Sequence, residues 1–464
     1  MSIRRTLATL TSVALIFAGG ITATTPSNAA STLTSPTWMS NATIYEVNVR
    51  QYTSEGTFNA FSTHLERLNK LGAKVLWLMP IQPISKEKRK GTLGSYYSIA
   101  DYKAVNPEFG TAADFKALVD KAHGMGFKIV LDWVPNHTGW DNPWITKNPE
   151  WYTKNSAGQI IHPEGTDWTD VADLNYSNQA MRAEMIASMK YWVDTYDIDG
   201  FRVDVAGAVP DDFWKTATET LTAIKPLWML AEAQVGDIEI GRDFSSAYNW
   251  PLKDTFNGLK SGSSDRWNIG YEISNIRSNY PKGTYPMNFV TNHDENSWNG
   301  TEYERLGSAA AVRAASVISF TLPGAPLIYT GQEVGMNKAL KFFEKDQVDY
   351  PATTSPMTPF FTKLIELKTK SPALAVGAAA GSIAEVRTSK NVVTAYARVA
   401  GKAKVLVAVN LSAKATSVKL SWSKNAGTYF DYATNKSVKI ASSQTITIPA
   451  WGYKIYTTNK LTNK

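Results

Sequence analysis

Residues 200–204 read Gly-Phe-Arg-Val-Asp and residues 228–232 read Trp-Met-Leu-Ala-Glu, two short, largely apolar runs that each end in an acid. Runs of this length and composition, bounded by polar segments, are the pattern of buried strands. Working outward, the pattern recurs at 44–49 (IYEVNV), 75–79 (VLWLM), 128–133 (KIVLDW), 245–250 (SSAYNW), 287–292 (MNFVTN) and 327–331 (LIYTG), with Pro326 left outside the last. Helical patterns fall between them, for example at 112–125, 179–196 and 211–224. Strands alternating with helices make a parallel sheet, and eight such units predict an α/β fold closed as a (β/α)8 TIM barrel. Asp204 and Glu232 then end successive barrel strands, and Asp294, in TNHD at 291–294, follows two units later. All three acids fall on the rim where such barrels carry their active sites.

At 464 residues the chain is too long for one ordinary compact domain. The third and fourth strands stand about twice as far apart as the others. The excess, 137–177, is rich in Trp, Pro, Asn and Asp and carries Trp140, Trp144, Trp151, Tyr152 and Trp168. It is expected to form a small domain inserted after the third strand. Beyond Ser371 and Pro372 the alternation turns to period two, in NVVTAYAR, KVLVAVNLS, SVKLSW, TITI and YKIYT, which predicts an appended C-terminal antiparallel β-sandwich. The expected organisation is a signal peptide at 1–29, a catalytic barrel at 30–372 and a sandwich at 373–464.

Arg4 and Arg5 precede an apolar run at 7–21, and Ser27, Asn28 and Ala29 are small enough for cleavage, which reads as a secretory signal peptide. The run is broken by Thr9, Thr11, Ser12 and Gly19 and falls short of the roughly 20 residues of a membrane anchor. Zero cysteines remove disulfides, thiol catalysis and thiolate metal sites. Export without disulfides suits a soluble, extracellular, bacterial-type protein, and a monomer is the expected state. The formal charge of +7, two of which lie in Arg4 and Arg5, is scattered, with no basic stripe interleaved with stacking aromatics, so nucleic acid is not an expected partner and neither is a membrane. The one dense cluster, KEKRK at 86–90, reads as a solvated loop. Fifteen tryptophans and 21 tyrosines suit stacking on sugar faces, although many belong in cores.

Four segments, DWVPNH (132–137), GFRVD (200–204), MLAE (229–232) and TNHD (291–294), taken in this order, resemble the four motif regions of the α-amylase family of retaining glycoside hydrolases, the group around glycoside hydrolase family 13. LGAKVLWLMPIQPI resembles its second barrel strand, VADLN the close of its inserted domain and PGAPLIYTGQE its eighth strand, so seven matches run in register over most of the chain. The resemblance implies a secreted enzyme that hydrolyses α-1,4-glucosidic bonds in starch or maltodextrins. Retaining hydrolysis uses one carboxylate that attacks the anomeric carbon and one carboxylic acid that protonates the leaving oxygen, about 5 to 5.5 Å apart.

Within that resemblance Asp204 is the candidate nucleophile. Arg202, two residues earlier on the same strand face, would hold it ionised. Outside this context an Arg-x-Asp pair is more often a plain ion pair. Glu232 is the implied acid/base and would need a raised pKa from its apolar strand. Asp294 with His293, and His137 with Asp132, match positions that bind the sugar at the cleavage point. Asp132 serves equally well as an orienter of Arg202. Tyr97 matches the tyrosine that stacks on that sugar. Ser98 stands where exo-acting α-glucosidases of the family carry a pocket-closing acid, which implies a cleft open at both ends, with Trp140 and Trp144 along it.

No cofactor is required by this chemistry, and a structural calcium stays open. Asn136 and Asp173 match calcium-holding positions of typical members, but the Lys-His that usually follows the nucleophile is replaced by Gly207 and Ala208. The alternatives left open are an exo-α-glucosidase, a cyclomaltodextrinase or a glucanotransferase of the same family. A non-catalytic glycan-binding barrel is disfavoured by the presence of all three acids.

Overall fold

In the computed structural model, which describes residues 33–350 and 355–462, alternation along short strands decides the architecture. The expected signal peptide at 1–29 lies outside the described residues. Strands β1 (Ile44–Val47), β2 (Val75–Leu78) and β3 (Lys128–Trp133) come first. After an excursion that holds β4 (His137–Gly139) and β5 (Val171–Asp173) come β6 (Gly200–Val203), β7 (Trp228–Ala231), β8 (Ser246–Tyr248), β9 (Tyr285–Asn288) and β10 (Ala325–Tyr329). Apart from β4 and β5, these close into a barrel in the order β1-β10-β9-β8-β7-β6-β3-β2, all parallel.

The register aligns Val130 with Gly200 and Gly200 with Trp228. Ile44, Val75, Val130, Trp228, Met287 and Leu327 pack into one cluster that fills the barrel. Two residues further along the same strand faces stand Glu46, Asp132 and Arg202, so the filling is apolar below and charged above. Residues of opposite parity, among them Ile129, Leu131, Phe201, Val203 and Met229, join the layer beneath the outer helices. Gly200 is required by this packing, since a Cβ there would lie 2.1 Å from the Trp228 carbonyl oxygen.

The outer helices follow from local signals. Thr111 and Asp114 form a capping box that starts the helix Ala112–Gly124, whose Phe115, Leu118, Val119 and Ala122 share one buried face. Among the described residues no helix is long and apolar enough to cross a membrane.

Most strand boundaries differ by a few residues from expectation, and four of them bear on the site or its frame. Residues 204 and 232 leave the ladder immediately after β6 and β7, so both acids stand free at the rim. The seventh barrel strand begins at Tyr285, and residues 289–292 run on to Asn292, whose side chain caps the helix His293–Trp298. The eighth begins at Ala325 and takes in Pro326, paired with Asn288, at the start of the strand, where a missing N–H is tolerated.

The C-terminal strands are β11 (Ser382–Glu385), β12 (Arg387–Thr388), β13 (Val393–Ala400), β14 (Ala403–Asn410), β15 (Thr416–Ser421), β16 (Gly427–Asp431), β17 (Ser437–Ile440), β18 (Ser443–Ile448) and β19 (Tyr453–Thr457). They form an antiparallel six-stranded sheet, β11-β13-β14-β19-β16-β17, and a three-stranded one, β12-β15-β18. Val393, Ala395 and Leu406 of the first share a core with Val418, Leu420 and Ile448 of the second, which makes the sandwich. Strands β11, β12, β16 and β17 escape a reading by alternation because they are short and each carries a single buried residue.

Two buried basic side chains brace the junction of sandwich and barrel. Arg398 on β13 donates to the Thr321 carbonyl oxygen (2.9 Å), and Lys368 on the helix Met357–Lys370 donates to the Gly324 carbonyl oxygen (3.0 Å). Both are fully buried. Arg398→Ala leaves a buried carbonyl unpaired and is expected to lower stability by about 2–3 kcal/mol, read as an earlier midpoint in chemical denaturation.

Candidate active site

Arg202, on β6, is fully buried and faces three acids. Its Nη1 lies 2.8 Å from Asp132 Oδ1 and 3.0 Å from Asp204 Oδ1, and its Nη2 lies 2.7 Å from Glu232 Oε1. Its Nε donates to the Tyr248 hydroxyl at 3.0 Å. The register explains the convergence: Asp132 is paired with Arg202 across β3 and β6, Asp204 lies two residues beyond Arg202, and Glu232 follows the end of β7. The other Glu232 oxygen, Oε2, accepts from Val205 N–H at 2.9 Å.

A second chain of contacts runs from Asp132. Its Oδ2 accepts from Trp77 Nε1 and from the Tyr97 hydroxyl, each at 3.1 Å. Tyr97 Oη lies 2.7 Å from His293 Nε2, whose Nδ1 in turn lies 2.5 Å from Glu46 Oε1 on β1. Asp294 Oδ2 approaches His293 Nε2 at 3.3 Å. His137, on β4, is held by Asn136 Nδ2 at 3.3 Å and lies near Trp168.

The electrostatics follow from this crowding. Burial raises Asp204 well above the usual carboxylate range, and the neighbouring Glu232 charge adds to it, outweighing the attraction of Arg202. Burial would raise Glu232 too, but Arg202 and the Val205 N–H hold it below its ordinary value. Two carboxyls this close to each other and to one guanidinium do not both ionise freely, and they titrate as a pair. The Glu232–Arg202 ion pair is the contact that the apolar strand did not reveal. Burial also pushes Asp132 up to about 6 and drives His137 down to about 4, so His137 is neutral.

A cleft of about 630 Å³ opens above these groups, lined by Tyr97, His137, Asp204, Glu232, His293 and Asp294. Asp132 and Arg202 lie beneath its floor, buried at 1% and 0% exposure, so Asp132 takes the place of an orienter of Arg202. Trp168 lines the cleft, but Trp144 does not. It lies in a separate depression with Tyr102 and Trp151. Trp140 donates its indole N–H to the Thr169 carbonyl oxygen, and the Lys88 ammonium lies 3.1 Å from its ring centroid.

The lysine cluster is not a bare solvated loop either, because Lys90 lines the cleft beside Asp167 and Asp170. Next to this loop the lining is aromatic, with Trp298, Phe342 and Phe343 in contact. Glu46, Trp77 and Tyr248 also escaped the sequence reading. An acid alternating with Ile44 inside an apolar strand was the available sign for Glu46.

Asn136 and Asp173 do come close, since His137 pairs with Asp173 across the β4–β5 ribbon. The donor set is nevertheless poor for calcium, which takes six to eight oxygens. Gly207 and Ala208 supply no side-chain donor, and among the described residues no three acidic or imidazole side chains cluster to hold an ion. The residues present do not fit a calcium site.

A family model described as the α-amylase catalytic domain matches residues 24–159 and 164–359, and one described as the maltogenic amylase C-terminal domain matches 384–455. The chain is 27% identical over 402 residues to α-amylase MalA of Haloarcula japonica, covering 83% of this chain and 57% of that protein. It is 27% identical over 407 residues to a cyclomaltodextrin glucanotransferase of Niallia circulans, covering 78% and 54%. The chain thus spans little more than half the length of these relatives. The crystal structure of a noncanonic maltogenic α-amylase, AmyB, from Thermotoga neapolitana superposes with a TM-score of 0.81 at 30% identity, covering 90% of this chain and 98% of that one.

Burial alone would lower His293, but Asp294 and Glu46 outweigh it and carry His293 from 6.5 up to about 9. A folded-state value above the unfolded one contributes stability that is complete below 6.5 and is lost as pH rises through about 9. Glu46→Gln removes one of the two opposing charges and should bring the His293 midpoint down by about one pH unit or more, read by NMR titration of the ring protons. An unchanged midpoint would show that Asp294 alone holds the imidazolium.

Proposed function

The chain belongs to the α-amylase family of glycoside hydrolases, and from that premise we propose that it cleaves α-1,4-glucosidic bonds of starch or maltodextrins with retention, through a covalent glucosyl intermediate on Asp204. The observation that carries the reading is the meeting of Asp204, Glu232 and Asp294 in one cleft, the first two on a shared buried arginine.

In this reading Asp294, His293 and the neutral His137 bind hydroxyls of the sugar at the cleavage point, and Tyr97 offers its ring face. The glycosidic oxygen draws Glu232 away from Arg202, which remains with Asp132 and Asp204. Without that ion pair Glu232 holds the proton that the pair shares, and Asp204, still facing Arg202, is ionised. Asp204 then attacks C1 while Glu232 donates its proton to the departing oxygen. The C1–oxygen bond breaks and a glucosyl ester forms. Water, deprotonated by Glu232, attacks C1 and frees Asp204.

The similarity to a cyclomaltodextrin glucanotransferase supports a second outcome of the same intermediate, in which a sugar hydroxyl replaces that water. The charged and apolar pattern of residues 4–21 supports export, and we propose a monomer acting outside the cell without a cofactor.

Asp204→Asn removes the attacking charge and should reduce amylose hydrolysis by at least about a thousandfold while oligosaccharide binding persists. Wild-type turnover in this variant would end the assignment. Glu232→Gln should slow sugar leaving groups far more than activated phenols, which hardly need a proton. Parallel rates on maltooligosaccharides and their aryl glycosides decide this, and equal losses on both would show that Glu232 is not the acid.

A further inference from the structure

Three loops that rise from neighbouring strands of the barrel are tied into one wall beside Tyr97. Residues 86–94 follow β2, residues 341–346 follow β10, and residues 141–170 belong to the excursion after β3. On one side Leu93 N–H donates to the Phe343 carbonyl oxygen and Thr92 N–H to Glu344 Oε1, both at 3.0 Å. Gly91, at φ +63°, is what permits this approach, since a Cβ there would lie 2.4 Å from Phe343 Cβ. On the other side Lys90 Nζ donates to the Asp167 carbonyl oxygen at 2.7 Å and lies 3.4 Å from the Asp170 carboxylate. Lys86 N–H donates to Asp141 Oδ2 at 2.8 Å. Arg50, following β1, donates to the Gly94 carbonyl oxygen at 3.1 Å, so the base of the wall is anchored as well.

The position of the wall relative to the chemistry can be read from the contacts. Tyr97 and Glu232 stand at opposite ends of the linked series Tyr97, Asp132, Arg202, Glu232. The proton donor faces the leaving oxygen, so the departing sugar lies on the Glu232 side. The retained sugar contributes C1 to the broken bond, and its own chain runs on through O4 toward the non-reducing end, past Tyr97. There it meets Phe342, stacked on Tyr97 with centroids 6.1 Å apart and planes 11° apart, and then Phe343 and Lys90, all lining the cleft.

We propose that this wall caps the cleft on its non-reducing side, so that the enzyme takes a glucan by its chain end and releases short oligosaccharides of set length, with Lys90 and Phe343 as the residues that determine that length. The paired Lys90 and Asp170 present a donor and acceptors to the hydroxyls of a terminal glucose, and the phenyl rings bar a further unit. Ser98, whose identity suggested a cleft open at both ends, donates its hydroxyl to the Asp170 carbonyl oxygen at 2.9 Å and so holds the wall in place. The proposal rests on the glucan-hydrolase reading.

The test uses maltoheptaose labelled with a fluorophore at the reducing end, its non-reducing end either free or blocked by an acetal across O4 and O6. The wild-type enzyme should cleave the free form at least about tenfold faster than the blocked one. The double variant Lys90→Ala with Phe343→Ala should narrow that ratio and lengthen the unlabelled products seen by chromatography. Lys90→Met, which keeps the aliphatic stem, replaces it if the double variant does not fold, and should shift the ratio in the same direction. Equal wild-type rates on both forms, or a ratio and product length unchanged in the variants, overturn the wall as the determinant. A wild-type enzyme inactive on both forms and on amylose overturns the hydrolase reading itself.

Discussion

The site depends on one buried guanidinium. Stripping Arg202 of water costs several kcal/mol unless its charge is paired, and the barrel meets that demand with Asp132, Asp204 and Glu232 from three successive strand ends. With His293, two cations face five carboxyls, those of Glu46, Asp132, Asp204, Glu232 and Asp294. Such an excess of like charge in a desolvated space cannot fully ionise. Burial accordingly raises Glu46, Asp132, Asp204 and Asp294, while Arg202 offsets that effect at Glu232 and holds it below its ordinary value.

The barrel can hold this charge because its strands separate the two kinds of filling by height. Val130 and Asp132 share a strand face, as do Ile44 and Glu46, so the same period of two that packs an apolar plug below delivers acids to the rim above. The plug is rigid: Trp77 and Trp228 are fully buried, and Gly200 leaves no space for a side chain beside Trp228. Trp77 also donates its indole N–H to Asp132, which ties the apolar filling to the charge cluster directly.

Around the rim the loops divide the labour. Those after β6 and β7 carry the pair proposed to react, and Val205 N–H donates to Glu232 at 2.9 Å. Those after β2, β3 and β10 are joined to one another by hydrogen bonds and ion pairs across long stretches of sequence and shape the cleft without taking part in the chemistry. An aromatic series from Tyr97 through Phe342 to Trp298 gives that side a face suited to sugars, with Trp298 56% exposed.

Local period and short motifs were enough to place the eight barrel strands, the excursion after β3, the sandwich and the three acids, because alternation and strand ends are properties of a few consecutive residues. Arg202 beside Asp204 was legible for the same reason. What folding alone decided are relations between distant positions. Glu46 meets His293 across 247 residues and Thr92 meets Glu344 across 252, and neither partner carries a local sign of the other. Lys90 looked like one basic residue among several until the excursion brought Asp167 and Asp170 to it, and Trp144 looked like a cleft residue until it packed on Tyr102 instead. The coupling of Asp204 to Glu232 belongs to this second class, since it arises where one buried guanidinium meets both carboxyls. Sequence pointed to the groups proposed to react because chemistry selects residue types; only the tertiary structure decided their surroundings and the lining of the cleft, because both arise from desolvation and from contacts that the chain makes far from home.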